Sequence, residues 1–249
     1  MTSITTPGGA SGAPALQPLA HGLGPRLQLW LVDLDDYAAQ YGLAGLPPDE
    51  QQRAARMAFA HLARRSLASR HALRRVLAAT LARSPQDLQI VADRFGKPHL
   101  ADASGLHFSL SHRDRTALIG VHSECPLGVD VEIPGTLADL EALAEACFSP
   151  GEQAAWARLE GAARQRFFFT CWTRKEACVK ALGVGLSAPL PAIDVGGEPG
   201  PRSTRLALAP GEVAVEVHSV AAPATAAHLV LACAWTDSAA VQRAHAAWG

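Results

Sequence analysis

Gly128-Val129-Asp130-Val131-Glu132 is the stretch on which the fold turns. β-Branched residues alternate with acids, and Pro134-Gly135 ends the run, the pattern of a short strand. Successive side chains of a strand point to opposite faces, so Val129 and Val131 face a core while Asp130 and Glu132 share the other face, about 7 Å apart at the backbone. Two carboxylates so placed suit a hard divalent cation such as magnesium, which takes oxygen ligands and completes its shell with water and substrate phosphates. Taken alone, an Asp-X-Glu reads first as the solvent-facing side of a strand.

Towards the C-terminus, the chain from about Leu137 to Ala181 reads as mainly helical with a break at Ser149-Pro150-Gly151, and Glu212 to Val220 and His228 to Trp235 read as strands. Towards the N-terminus, His107 to His112 and Thr116 to Val121 pair as a hairpin across Arg113-Asp114-Arg115, and Asp93 to Pro98 forms a surface turn. Helical spacing runs from Gln51 to Leu81, with Pro47-Pro48-Asp49-Glu50 as a helix start and a division between two helices near Arg65-Ser66. Leu27 to Val32 is the first strand expected. Each half thus runs from strand through helix to further strands. This predicts an α+β fold in two halves, residues 27–126 and 127–238, between an N-terminal disordered tail (1–26) and a C-terminal tail (239–249).

Of 249 residues, 49% are hydrophobic, enough for a full core in one domain or two closely packed ones. The formal net charge of -1 gives no global attraction for nucleic acid or an anionic membrane, so any anionic ligand needs a local cluster. No apolar run approaches the roughly 20 residues that span a bilayer, and the Gly- and Pro-rich start lacks the features of a signal peptide. Five cysteines without a CxxC pair argue against a disulfide framework or zinc knuckle and fit a reducing cytoplasm.

Two further groups carry chemistry. In Trp172-Thr173-Arg174-Lys175-Glu176-Ala177-Cys178-Val179-Lys180, residues 172, 176 and 180 are spaced i, i+4, i+8 and share one helix face. An ordinary Glu-to-Lys surface pair fits that spacing too, but a third carboxylate could complete a metal site with Lys180 beside it. Arg65-Ser66, Gly96-Lys97-Pro98 and Ser111-His112 bring cations and hydroxyls from separate segments of the first half, a mixture that commonly holds phosphates.

Gly96-Lys97-Pro98, Phe108-Ser109-Leu110-Ser111-His112, the Gly128 to Glu132 strand and the Trp172 to Lys180 helix, in that order, resemble the motifs of Sfp-type phosphopantetheinyl transferases. The resemblance covers about Leu27 to Trp235. It implies a pseudo-dimer of two similar α+β halves with coenzyme A in the cleft between them, as a monomeric chain. Asp130, Glu132 and Glu176 would hold magnesium with the pyrophosphate. Lys97, Ser111 and His112 would contact the nucleotide and its phosphates, His112 at the 3′-phosphate. Arg65 and Ser66 would lie near that phosphate, and Lys175 and Lys180 match the lysines of the signature helix. Two departures stand out: Ser109 where asparagine is frequent, and Arg113 where many members carry a small serine.

The implied reaction is attack of a carrier-protein serine on the β-phosphate of coenzyme A, releasing 3′,5′-ADP. Serine needs a base, for which Glu176 and Glu132 compete, and Lys180 would balance charge on the leaving phosphate. The competing reading is a non-catalytic coenzyme A or carrier-protein binding module of the same fold.

Overall fold

The computed structural model describes residues 15–102, 104–135, 139–198, 202–207 and 212–248. The first 14 residues and Leu137, where the second helical region was expected to begin, lie outside them.

The first half opens with strands β1 (Leu16–Leu19) and β2 (Leu27–Asp33) and helices α1 (Leu34–Tyr41), α2 (Pro48–Ala55) and α3 (Ala60–Leu81). The small pair β3 (Ile90–Ala92) and β4 (Pro98–Leu100) and the hairpin β5 (His107–Arg113) and β6 (Thr116–His122) complete it. The second half runs β7 (Leu127–Glu132), α4 (Leu140–Cys147), α5 (Pro150–Trp156), α6 (Gly161–Leu182), β8 (Arg202–Ala207), β9 (Glu212–Val220), β10 (Val230–Trp235) and α7 (Ser238–Trp248).

The two halves repeat one plan. In each, a first strand leads to a helix of 22 residues, α3 or α6. A hairpin follows, β5–β6 or β9–β10, whose last strand pairs antiparallel with β2 or β7, giving the sheet orders β1-β2-β6-β5 and β7-β10-β9-β8. Period-2 alternation then sets the layers. Leu27, Leu29 and Leu31 of β2 meet Leu127, Val129 and Val131 of β7 in a core between the sheets, while Trp30 and Val32 turn the other way towards α3. The order is helix, sheet, sheet, helix, with β7 at the edge of its sheet beside β5.

Three expectations need correction. Residues 16–19 of the stretch read as a disordered tail form β1, paired with β2 from Leu16 opposite Val32 to Leu19 opposite Leu29; Pro18 is tolerated because the strand lies at the sheet's edge. The helical stretch divides at residues 56–59, not at Arg65-Ser66, which sit inside α3. Most of the C-terminal tail is α7, whose Ala240 and Ala244 enter the core of the second half. Among the described residues no helix is long and apolar enough to cross a membrane.

Candidate active site

Helix α6 lies directly on the acid-bearing face of β7, and Gly128 is what lets it do so. A Cβ there would stand 1.9 Å from the Ala177 carbonyl oxygen and 2.9 Å from the Lys180 Cβ, so any side chain would push helix and strand apart. The close approach sets the Trp172, Glu176 and Lys180 face over Asp130 and Glu132. Lys180 Nζ stands 2.7 Å from Asp130 Oδ1 and 3.0 Å from Ser111 Oγ, and the Ser111 hydroxyl donates to the same Asp130 oxygen at 2.7 Å. Trp172 Nε1 donates to Glu132 Oε1 at 3.2 Å, and Arg113 Nε lies 3.5 Å from Glu132 Oε2. From β5, Ser109 Oγ accepts the Val129 N–H at 3.1 Å. The two serines of Phe108-Ser109-Leu110-Ser111-His112, alternate on one strand, thus join the two halves side chain to backbone and side chain to side chain.

Three acids face two cations here. Burial, then the Asp130 charge, pushes the Glu132 carboxyl above the usual range against the opposing pull of Arg113, Trp172 and Lys180. Glu176 is pushed up too, by burial first, with Asp130 and Glu132 adding and Lys180 opposing. Asp130 is buried, and its Oδ2 has no hydrogen-bond partner. A buried carboxylate oxygen left so is costly unless a cation or donor reaches it. Among the described residues no three His, Cys, Asp or Glu side chains converge closely enough to form a ready-made metal cluster, and Lys180 occupies the cationic role beside Asp130. The donor set nonetheless suits magnesium, which takes few protein carboxylates and leaves positions for water and phosphate.

Beside this cluster opens a cleft of about 270 Å³. Its walls include Glu176 and Lys180 from α6, Lys97 from the turn, Pro98 at the start of β4, and Phe108 and Leu110 from β5. Lys97 spans the halves: its Nζ donates to the Ala181 carbonyl at 3.0 Å, and burial brings its pKa down to about 8. Solvent reaches His112, yet the protein packed around its ring, and after that the charges of Lys180 and Arg70, lower its pKa. Arg70, half-buried on α3, was not singled out in the sequence; it sits among so many arginines of that helix that no spacing marks it.

Two expected ligands are used elsewhere. Lys175, expected at coenzyme A, is fully buried on the far side of α6. Its Nζ lies 2.7 Å from Glu152 Oε2 and donates to the carbonyls of Leu190 (2.8 Å) and Ile193, which leaves no reach to the cleft. Arg65 grips Asp35 with two bonds, Nε to Oδ1 at 2.9 Å and Nη2 to Oδ2 at 2.7 Å, and also pairs with Asp114 in the β5–β6 turn. Its charge is already balanced, and neither it nor Ser66 lines the cleft.

Family models match both halves: residues 33–124 fit the 4'-phosphopantetheinyl transferase N-terminal model, and residues 126–233 the 4'-phosphopantetheinyl transferase superfamily model. The chain is 36% identical over 170 residues to the 4'-phosphopantetheinyl transferase HetI of Nostoc sp., covering 66% of this chain and 72% of that protein. The chain belongs to the 4'-phosphopantetheinyl transferase superfamily. The transferase is also 35% identical over 168 residues to a putative 4'-phosphopantetheinyl transferase of Synechocystis sp., covering 67% of this chain and 68% of the relative. Against the Sfp enzyme of Bacillus subtilis the identity is 27% over 150 residues, 60% of this chain and 66% of that protein. The transferase's matched segments stop at residue 233, so α7 lies beyond them.

Proposed function

We propose that this transferase moves the phosphopantetheine arm of coenzyme A to a serine of an apo carrier protein in a magnesium-dependent reaction, with Glu176 as the base. The seating of Lys180 on Asp130 and Ser111, made possible by Gly128, carries the reading, because it gathers residues of three motifs in one cluster beside the cleft that Glu176 and Lys180 line. Asp130 and Glu132, with Glu176, would hold the ion. When bound, magnesium neutralises the pyrophosphate and makes its phosphorus a better electrophile.

The chain's own residues do the rest. Glu176 forms no hydrogen bond among the described residues, faces the cleft and has a raised pKa, all of which suit a base that takes the serine hydroxyl proton near neutral pH. Glu132 is held by Trp172 and Arg113, which favours a binding role for it. Lys97, Ser111 and His112 would meet the nucleotide and its phosphates. A phosphate beside His112 would raise its pKa again and draw a proton onto the ring. Lys180, which lines the cleft from its place beside Asp130, would balance the charge on the leaving phosphate. The non-catalytic alternative is not favoured, since every carboxylate and Lys180 are in place. The apolar contact between the halves supplies within one chain what a dimer interface would, in keeping with a monomer, and the absence of a CxxC pair is in keeping with the cytoplasm.

Two outcomes test this arrangement. Carboxyls with raised folded pKa values contribute stability below their ordinary range and lose it as pH rises through the raised values. Added magnesium should therefore raise Tm more at pH 8 than at pH 5, because protons compete with the ion for Glu132 and Glu176 as pH falls. A thermal shift that is equal at both pH values, or absent at both, removes the ion from these acids. In turn, Lys180→Ala is expected to lower turnover by about a hundredfold, the scale of one lost electrostatic stabiliser, while coenzyme A affinity by calorimetry changes little. The reverse split would make Lys180 a ground-state phosphate anchor.

A further inference from the structure

The last turn of α6 ends at Gly183, which stands at φ +70 and donates its N–H to the Val179 carbonyl at 2.8 Å. The remaining carbonyls of such a turn need outside donors. Two arrive from different parts of the chain. Lys97 of the first half donates to Ala181 O at 3.0 Å, and His245 Nε2 of α7 donates to Leu182 O at 3.0 Å. Cationic or polar donors at this end also match the negative pole of the helix dipole.

His245 does more than cap the helix. Its own carbonyl accepts Arg94 Nη2 at 2.9 Å, its ring lies 4.5 Å from that of Phe95, and the Arg94 guanidinium lies 4.6 Å over the same Phe95 ring. At the centre, a Cβ on Gly183 would stand 3.1 Å from Lys97 Cδ and 3.3 Å from His245 Nε2, so three segments meet with no room to spare. Ala240 and Ala244 fix α7 in the core of the second half. The helix is therefore anchored in one half and grips a turn of the other.

We propose that α7, through His245, is a positioning element for coenzyme A binding: it holds the turn Arg94 to Lys97 against the end of α6, so that Lys97 faces the cleft before the ligand arrives. Prepaid ordering of a loop appears as affinity, because the ligand no longer has to impose it. The proposal rests on the reading of Lys97 as a coenzyme A contact, and its test separates the two.

Hydrogen exchange in full-length His245→Ala reads the clamp. The amides of Phe95, Gly96 and Lys97, held by Asp93, should exchange faster than in the wild type, with β2 and β7 unchanged. Calorimetry reads the function: coenzyme A affinity should fall about tenfold, the scale of losing one hydrogen bond and the order it imposes, while turnover at saturating coenzyme A stays close to wild type. His245→Gln, which keeps an N–H donor, should restore both. Unchanged exchange in the turn overturns the clamp. Faster exchange with unchanged affinity, when Lys97→Ala does weaken binding, overturns the role of α7 in coenzyme A binding. If Lys97→Ala leaves affinity unchanged, the reading of Lys97 falls, and the exchange result alone decides whether α7 orders the turn.

Discussion

Asp130→Asn is expected to lower turnover by about 10²–10³-fold, the range for removing a charge that acts on the transition state, while the chain stays folded. Asparagine keeps the shape of the side chain and an oxygen to accept from Ser111 Oγ, so the Ser111 link between the halves survives. What is lost is the charge that draws Lys180 and the orphaned oxygen that a cation would reach. The magnesium-dependent rise in Tm at pH 8 should shrink with it. Transfer near the wild-type rate, with the thermal shift intact, would show that Asp130 is only a partner for Lys180.

The second large effect concerns stability. Lys175→Ala is expected to destabilise the fold by about 3–5 kcal/mol, the range for breaking one side of a buried ion pair. The partners are 0% and 1% exposed, so Glu152 would be left charged without a cation. Glu152 also accepts the N–H groups of Ser149, Val195 and Gly196, which ties the start of α5 to the chain after α6. Against total stabilities of about 5–15 kcal/mol such a loss is severe. Urea unfolding measures it. The fraction still folded at low temperature should bind coenzyme A as the wild type does. Normal stability with weakened coenzyme A binding would return Lys175 to the phosphate site from which its geometry removes it.

That lysine shows where sequence reading stops. The face shared by Trp172, Glu176 and Lys180 was legible because helical spacing is local, and by the same spacing Lys175 falls off that face. Its destination was not legible, because Glu152 comes from a different helix, 23 residues earlier by the numbering of the pair. Arg65 has the same history: Asp35 and Asp114 are 30 and 49 residues away. The alternation at 128–132 gave the strand and its acidic face, yet why Gly128 must be glycine emerged only when α6 was seen lying on it. The two-half plan could be expected from the order of elements. The matching pairings β2-β6-β5 and β7-β10-β9 could not, since strand partners are set by long-range packing and no sequence repeat records them. Strand β1 and helix α7 are not legible as elements because each leans on the rest of the molecule: β1 on β2, α7 on the core of the second half. The break at residues 56–59 has no proline or glycine to announce it.

Intact-mass measurement of apo carrier proteins after incubation with this chain, coenzyme A and magnesium tests the central claim most directly. The panel should include carriers of fatty acid, polyketide and nonribosomal peptide synthesis. The expected result is the added mass of one phosphopantetheine arm on a single serine of at least one carrier, with 3′,5′-ADP released in equal amount and no addition in excess chelator. Carriers that stay apo throughout, while the Bacillus subtilis Sfp enzyme loads the same samples in parallel, would contradict it.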